Sequence, residues 1–393
     1  MPSRTAGSIG SGAIEIVPVT TAADRDAFIR VPFAIYAPDD KWIPPLIVER
    51  REHFNPRKNP YFEHAEAALW IARRAGRDVG RISAQVCALH RQHHGADRGQ
   101  FGFIEAIDDA EVFAALFDAA EAWLRARGTS VVDGPFNFSI NDEMGLLVDG
   151  LDTPPSLMMG HAKPYYPARV EALGYAKVKD VFAYDYHTSA EQPRAAAVVA
   201  AKVRRAKDTG ELDIRPIRKA RLDEDLETIL DIFNDAWHDN WGFVPWTANE
   251  IRALGTVMKM LVKEEYVAIA HWRGEPAAFA VTLPNINDWI ADLHGRLLPF
   301  GWAKLLWRLM ARPPRSVRLP LMGVRKVHQG TAVGAALSMG VIDTLRVYHM
   351  SRGTDHAELS WILEDNMPMR RMIEVLGGRA YKTYRIYRKA LQA

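Results

Sequence analysis

The most informative part of the chain is residues 319–353, LPLMGVRKVHQGTAVGAALSMGVIDTLRVYHMSRG. Apolar residues alternate over 319–327, which predicts a strand, and apolar residues at helical spacing predict a helix over 336–348. The small residues between them would let backbone amides approach a ligand closely. Amides at a helix start suit a pyrophosphate group. A glycine-rich turn that only packs remains the alternative, because a lone match of this kind is weak.

An internal repeat places this stretch in the second of two similar halves. Trp42 corresponds to Trp241, 199 positions later, and Gly76 corresponds to Gly274, 198 positions later. Each half contains, in order, a helix, a hairpin, a strand, a helix, a strand, a helix and a strand. This order predicts a mixed sheet with helices on its faces. We therefore predict an α/β (α+β) fold of two tandem lobes, with chance similarity of such patterns as the alternative.

The marks of the repeat also predict the domain boundaries. We expect a disordered arm over 1–12, a first lobe over 13–188, an Ala-, Lys- and Arg-rich linker over 189–210 and a second lobe over 211–393. In the first lobe, acidic residues including Glu105 and Asp109 stand where the second lobe has its small residues. Such residues would repel a pyrophosphate while capping the helix. The sequence therefore predicts one cofactor site per chain.

Composition excludes several classes of protein. The chain has 393 residues and a net charge of +2, so no global field indicates nucleic-acid binding. The single Cys87 excludes an internal disulfide and fits a reducing compartment, and its alternating surroundings indicate a buried strand residue rather than a nucleophile. No apolar run approaches the ~20 residues needed to span a bilayer. The N-terminal stretch lacks the apolar segment of a secretory signal, and we expect a cytoplasmic protein.

Metal binding is not expected from the sequence. His90, His93 and His94 lie close together, but no cysteine or acidic residue stands at ligand spacing from them. An exposed turn explains this cluster better than a metal site.

The loop resembles the cofactor signature of the GCN5-related N-acetyltransferase (GNAT) superfamily. That signature is Gln or Arg, two residues, Gly or Ala, one residue, and Gly or Ala, and residues 329–334 match it. Residues 358–362 resemble the family strand that splays from the cofactor strand, and Asn366 with residues 376–378 resembles the family's ending. The resemblance implies two acyl-CoA N-acyltransferase lobes, acyl-CoA as co-substrate and direct attack of an acceptor amine on the thioester.

Residue roles follow from the same resemblance. Loop amides would hold the pyrophosphate of CoA, and the end of the preceding strand would pair with the pantetheine as an added strand. The tyrosine that often protonates the leaving thiolate falls on Ile373, so Tyr384 or Tyr381 would do this work, or the thiolate would leave unaided. The implied cofactor-binding residues are Val324, Arg325, Lys326, Val327, Gln329, Gly330, Thr331, Ala332, Val333, Gly334, Ala335 and Asn366.

Candidate bases and acceptor contacts come from two polar loops. His238 beside Asp239 could deprotonate the amine, since histidine titrates near neutral pH, with an ordinary surface histidine as the alternative. Glu143 could do the same, although a turn with Asx caps explains its surroundings equally well. The candidate acceptor-binding residues are Asn137, Asn141, Trp237, Asn240, Trp241, Trp302 and Trp307.

The second lobe carries an inserted amphipathic helix within 289–315. Lys304, Arg308 and Arg312 form a basic stripe on a segment rich in Trp and Leu, and two prolines end it. Such a helix suits the interface of a membrane, and it could equally cover an acyl-chain tunnel. A helix packed between the lobes with solvated charges is the third interpretation.

Together these features indicate a large or lipid-like substrate pair. The layout, and the ending LGGRAYKTYRIYRK, resemble the bacterial ceramide synthase group, which acylates a sphingoid base from acyl-CoA. We expect acyl-CoA and an amine acceptor as partners, peripheral contact with the inner membrane face and no nucleic acid. The alternatives are a small-amine N-acetyltransferase, a Fem-like aminoacyl-tRNA transferase and a non-catalytic acyl-CoA-binding protein that docks on membranes.

Overall fold

The computed structural model describes residues 12–37, 41–189 and 194–392, without the side chains of 194–196 and 256–261. Most of the predicted arm over 1–12 lies outside the described residues. Contacts between Cα atoms divide the chain into two units. Unit 1 contains the described residues up to Leu151, then Gly160–Val178 and Arg385 onward, and unit 2 contains Asp152–Met159 and Lys179–Tyr384.

Unit 1 is a mixed sheet with helices. Its strands are β1 (Ile14–Pro18), β2 (Ala65–Arg74), β3 (Arg77–Cys87), β4 (Arg98–Ala106), β5 (Val131–Gly134), β6 (Phe136–Asn137), β7 (Glu143–Met144) and β8 (Leu146–Asp149). Its helices are α1 (Ala22–Ile35), α2 (Ile47–His53), α3 (Ala88–His94), α4 (Ala110–Arg125) and α5 (Tyr166–Ala172). Neighbouring strands from β1 to β4 pair antiparallel, whereas β4 and β5 pair parallel. Strand β9 (Ala176–His187) begins in unit 1 and ends in unit 2.

Unit 2 repeats this architecture. Its helices are α6 (Arg194–Asp208), α7 (Leu222–Trp237), α8 (Ala248–Leu261), α9 (Asn287–Ile290), α10 (Gly301–Ala311), α11 (Ala332–Ser351) and α12 (Met367–Val375). Its strands are β10 (Leu212–Pro216), β11 (Val267–Trp272), β12 (Glu275–Pro284), β13 (Ser316–Val324), β14 (His356–Leu363) and β15 (Arg379–Ala390). Strands β10 to β13 pair antiparallel in sequence, β13 and β14 pair parallel, and β14 pairs antiparallel with β9. The predicted fold class is confirmed.

The two predicted hairpins are present and have the same turn. Ala75 and Gly76 join β2 to β3, and Arg273 and Gly274 join β11 to β12. All four residues have positive φ, between 50° and 89°. Two-residue hairpin loops of this kind match the twist of the strands, and glycine adopts the second position without strain. The shared turn supports the interpretation of the sequence as a repeat.

The unit boundaries differ from the predicted ones. Residues 189–210, predicted as a linker, contain α6, whose Val203 and Ala206 are buried in a core cluster of unit 2. The predicted linker is therefore in large part a helix, and Val199 also packs against the same cluster. Strand β15 ends in unit 1, where residues Tyr387–Ala390 pair with β5. The second half of the chain therefore supplies a strand to the first unit.

Candidate functional site

Strands β13 and β14 separate partway along their length, and this opening is the centre of the candidate site. They pair only from Ser316 and His356 to Leu319 and Leu359. Beyond this point β13 continues along β12, with Val324 opposite Ala278, while β14 continues along β9. Among the residues that the structure describes, no strand therefore pairs with the β13 edge that faces the opening beyond Leu319. An unpaired edge of this kind can bind an extended ligand as an added strand.

The predicted cofactor loop connects β13 to α11. Lys326–His328 forms a turn of 3-10 helix, Gly330 has φ of +70°, and the Thr331 hydroxyl accepts a hydrogen bond from the Gly334 amide at 3.1 Å. The amides of the first helical turn have no intrahelical acceptor. They carry the positive end of the helix dipole, which favours an anion. The strand, loop and helix thus have the arrangement that the sequence predicted.

The end of α7 holds this loop in place. The Lys326 amide donates to Asp235 at 2.8 Å, and its ammonium donates to Asp239 at 2.6 Å. The Gln329 side chain donates to the Val324 carbonyl at 2.8 Å, and Arg325 pairs with Asp231. Arg325 and Lys326 are therefore paired with one carboxylate on α7 and one just after it, and a pyrophosphate would be held mainly by backbone amides.

The candidate base pair lies beside the loop. His238 Nδ1 is 2.9 Å from Asp239 Oδ1, and both side chains are exposed. The hydrogen bond from Lys326, followed by the one from His238, lowers the pKa of Asp239. Asp239 is therefore ionised at neutral pH and orients both a histidine and a lysine. The structure brings His238 and Asp239 together with the loop, as predicted, while their role in proton transfer stays a prediction.

Two tryptophan rings, Trp237 and Trp361, are in contact at the opening between β13 and β14. The Trp237 indole donates to the carbonyl of Met322 on β13 at 2.9 Å. Its ring also meets Trp361 of β14 edge-to-face, with ring centroids 5.6 Å apart. Trp241 lies beside the Lys179 ammonium, which is 5.9 Å from the ring centroid. Asn240 donates its amide to the Trp237 carbonyl. The predicted residue Trp237 thus lies at the opening together with Trp361, which the sequence did not single out.

A buried polar network lies at the closed end of this opening. The Arg318 guanidinium, 2% exposed, donates to the Ser360 hydroxyl at 2.8 Å and to the Leu157 carbonyl at 2.9 Å. Ser360 and Tyr381 both donate to the carboxylate of Glu358. The members lie on strands and a loop of unit 2, and Arg318, Glu358 and Ser360 are buried with hydrogen-bond partners. The network fixes the point at which β13 and β14 separate.

Lys382 and the tyrosines of β15 provide further titratable groups in unit 2. The Lys382 ammonium donates to the Pro154 carbonyl at 2.6 Å, and burial lowers its pKa to about 8. Burial, with the Glu358 charge, raises the pKa of Tyr381. Tyr384 is fully buried, as is Ile373, which replaces the family tyrosine. Which of these groups protonates the thiolate stays a prediction.

Asn366 caps α12 by accepting from the Met369 amide at 3.3 Å.

The corresponding opening of unit 1 is filled by the chain itself. Strands β4 and β5 pair only from Arg98 to Gln100 on β4. Beyond them Phe136 lies so close to Gly102 that a Cβ there would be 1.8 Å from the Phe136 carbonyl oxygen. At the start of α4, Asp109 accepts from the amides of Glu111 and Val112. The side-chain cap of this helix is therefore a carboxylate, where unit 2 has the hydroxyl of Thr331, and the single cofactor site per chain stays a prediction.

The predicted polar residues of the first lobe are held by partners within unit 1. Glu143 accepts from Arg50 at 3.2 Å and from Asn137 at 2.8 Å. Asn137 also accepts from the Phe103 amide at 2.7 Å, and Asn141 donates its amide to the Ser139 hydroxyl at 3.1 Å. These contacts stabilise the loop. A base role for Glu143 stays a prediction, and both of its carboxylate oxygens already accept hydrogen bonds, one from Arg50 and one from Asn137.

The inserted segment contains α10, and no residue of this helix is buried. Lys304 and Arg308, two members of the predicted basic stripe, both pair with Asp292. Arg312 lies over the ring of Trp307, 4.8 Å from its centroid. Within the described residues, no helix is both long enough and apolar enough to cross a bilayer. The exposed apolar side chains of the segment are Leu298, Phe300, Trp302, Leu306, Trp307 and Met310.

The main residues that the sequence did not reveal are those of the buried network. Arg318, Glu358 and Lys382 lie on strands whose alternation predicts only that one face is buried. Their pairing depends on residues far apart in the chain. The available signal was a charged residue at a strand position that faces the core. Such residues are rarely buried without a partner, so each one indicates a buried polar contact.

Comparison with known proteins identifies the family. No family model matches the chain. It is 46% identical over 379 residues to a bacterial ceramide synthase of Caulobacter vibrioides (strain NA1000 / CB15N), covering 96% of this chain and 98% of that protein. It is also 46% identical over 369 residues to Protein YghO of Escherichia coli (strain K12), covering 94% of this chain and 93% of that protein.

Solved structures show the same tandem fold. A tandem GNAT protein from the clavulanic acid biosynthesis pathway matches with a TM-score of 0.57 and 14% identity, over 97% of this chain and 99% of that chain. A GCN5-related N-acetyltransferase from Sphaerobacter thermophilus matches with a TM-score of 0.51 and 12% identity, over 96% of both chains. The predictions of tandem GNAT lobes and of an acyltransferase are confirmed. The chain belongs to the family of the bacterial ceramide synthase, a family of acyltransferases with the tandem GNAT fold.

Proposed function

We propose that this acyltransferase moves a long-chain acyl group from acyl-CoA to the amine of a sphingoid base. The observation that supports the donor is the unpaired edge of β13, which leads directly into the capped start of α11. The observation that supports the acceptor is the relative of 46% identity named a bacterial ceramide synthase. The strand edge would pair with the extended pantetheine of CoA. The start of the helix would bind its pyrophosphate.

The proposed reaction is a direct transfer. The neutral amine attacks the thioester carbonyl, the new C–N bond forms, and the C–S bond breaks to release the thiolate of CoA. A backbone amide of the β13 edge would stabilise the oxyanion. The amine proton would pass to His238, oriented by Asp239, and the thiolate would take a proton from a buried tyrosine such as Tyr384. No acyl-enzyme is needed, which fits the burial of Cys87 at the end of β3.

The test is transfer by the full chain. Purified protein is incubated with a C18 sphingoid base and either palmitoyl-CoA or acetyl-CoA, and the N-acyl product is measured by mass spectrometry alongside release of free thiol. We expect product from palmitoyl-CoA well above that from acetyl-CoA, and the same activity in Cys87→Ala. Faster transfer from acetyl-CoA to small amines would favour the N-acetyltransferase alternative. No product with any acyl-CoA would overturn the proposal.

We also propose that α10 and the turn before it contact a membrane surface, which would give access to a lipid acceptor. The apolar side chains of this segment are strongly exposed, with Phe300 78% and Met310 80% accessible. The exposed basic residues Arg296, Arg312 and Arg315 flank it. Aromatic and aliphatic side chains bordered by arginines are typical of helices that lie in a membrane interface. The pairing of Lys304 and Arg308 with Asp292 limits the electrostatic part of this attraction.

Vesicle binding tests the membrane contact. With vesicles of phosphatidylglycerol and phosphatidylethanolamine, we expect the wild-type chain to co-sediment and the variant Phe300→Glu/Met310→Glu to lose most of this binding, because charged residues enter the apolar region at high cost. Val198→Glu, which alters another exposed apolar residue of unit 2, serves as the matched control and should bind as the wild type does. Equal binding by all three proteins would contradict the proposal.

A further inference from the structure

Two histidines and an aspartate form a cluster on neighbouring strands of unit 2. His187 on β9 pairs directly with His356 on β14, and their rings are 4.2 Å apart. Asp185, two residues before His187, lies on the same face. Its carboxylate is 3.6 Å from His187 Nε2 and 3.4 Å from His356 Nδ1. One ligand atom from each of the three residues falls within 4.8 Å of the others.

A second carboxylate faces the remaining ring nitrogens. Asp355 Oδ2 is 3.7 Å from His187 Nδ1 and 3.7 Å from His356 Nε2. Its other oxygen accepts from the Ser189 hydroxyl at 2.8 Å. Histidines that bind a metal generally donate their second ring N–H to a carboxylate, which fixes the ring and its tautomer.

Hydrogen bonds from Thr188, the residue after His187, hold together the two backbone segments that carry the four side chains. Thr188, only 2% exposed, donates its amide to the Asp355 carbonyl at 2.8 Å and its hydroxyl to the Thr354 carbonyl at 2.7 Å. The four side chains themselves are 39–56% exposed, so they can rotate. Zinc bonds of about 2.0–2.2 Å place tetrahedral N and O ligands about 3.3 Å apart. Small rotations of these side chains on a fixed backbone would reach that spacing.

We propose that Asp185, His187 and His356 bind a zinc ion, with Asp355 as the outer carboxylate that orients both imidazoles. Two imidazoles and one carboxylate are borderline and hard donors of the kind that suit Zn²⁺, and a water would complete a tetrahedral site. The two carboxylates balance the charge of the ion. No local pattern in the sequence indicates this site, because its ligands come together only through the register of β9 and β14.

The position of the cluster indicates a structural role. His356 is the first residue of β14 and pairs with Ser316 at the closed end of the β13–β14 opening, whereas the strands separate only beyond Leu359. A metal ion here would join β9 to β14 at the end away from the cofactor loop. We therefore expect zinc to raise the thermal stability of the chain without taking part in transfer, and the inference is independent of the acceptor.

Calorimetry tests the site directly. The full chain, freed of any histidine tag and treated with EDTA, is titrated with ZnCl₂, and Co²⁺ absorption reports the coordination geometry. We expect one equivalent of Zn²⁺ and a raised Tm. In His356→Gln this binding and the Tm increase should disappear. In Asp355→Asn the affinity should fall by about 10–100-fold, as is typical when an outer carboxylate is lost.

The control is His93→Gln, which removes an exposed histidine of unit 1 outside the cluster and should bind zinc as the wild type does. Absence of stoichiometric binding to the wild type would overturn the proposal. Unchanged binding in His356→Gln would do the same, since it would place the ion elsewhere. Equal affinity in Asp355→Asn and the wild type would remove Asp355 from the site.

Discussion

Replacing Arg318 with methionine is expected to lower the free energy of unfolding by about 3–5 kcal/mol, the usual cost of removing one partner of a buried ion pair. The guanidinium is almost fully buried and bonds to Ser360 and to the Leu157 carbonyl, with Glu358 3.9 Å away. Methionine fills a similar volume but leaves these acceptors without a donor. Chemical denaturation monitored by tryptophan fluorescence measures the loss.

A second substitution separates charge from packing. Glu358→Gln removes the carboxylate that Arg318 balances, so the double variant Arg318→Met/Glu358→Gln should recover part of the lost stability. Arg371→Met changes an exposed arginine of the same unit and is expected to stay within about 0.5 kcal/mol of the wild type. If Arg318→Met were as stable as Arg371→Met, the buried network of Arg318 and Glu358 would not stabilise the pairing of β13 and β14.

Replacing Gly334 with alanine is expected to abolish the stabilisation of the protein by acyl-CoA. A Cβ at this position would lie 2.1 Å from the His328 carbonyl oxygen, so the loop must move. The loop amides would then no longer converge on a pyrophosphate. With palmitoyl-CoA present at ~100 times its dissociation constant, the free energy of unfolding of the wild type should rise by about 2.7 kcal/mol. In Gly334→Ala most of this increase should be lost. Thermal unfolding with and without palmitoyl-CoA measures both.

The matched control is Gly160→Ala, where a Cβ meets its nearest atom, the Gly145 carbonyl oxygen, only at 4.0 Å. This variant should respond to palmitoyl-CoA as the wild type does. The unliganded Gly334→Ala protein must show a single cooperative transition, so that loss of binding is distinguished from loss of the fold. Wild-type affinity in that variant would show that CoA does not rest on this loop.

The sequence predicted the succession of strand, loop and helix over residues 319–348 because the signals for it are local. The alternating strand, the small residues after it and the helical spacing that follows each depend on near neighbours in the chain. The two hairpins were predictable for the same reason, since a glycine with positive φ serves both turns. Where a local rule governs the backbone, the sequence alone was sufficient.

Pairings between distant segments could not be predicted in this way. The network of Arg318 and Glu358, the lowered pKa of Lys382 and the histidine pair of β9 and β14 all depend on strand register. A shift of one residue would turn each of these side chains to the other face. The partner of the basic stripe of α10 could not be predicted for a related reason, because Asp292, which pairs with two members of the stripe, lies in a separate turn.

The route of β15 has a consequence for how the protein is made. Its last residues pair with β5. There Arg388 forms a bidentate ion pair with the buried Asp133, and Lys389 donates to the buried Glu121. Ribosomes deliver the N-terminal half of a chain first, and that half commonly folds before the rest is made. Until β15 has been made, the edge of β5 lacks this strand, and Asp133 and Glu121 have only their other ion-pair partners, Arg98 and Arg125. We therefore expect unit 1 to complete its folding only after β15 has emerged.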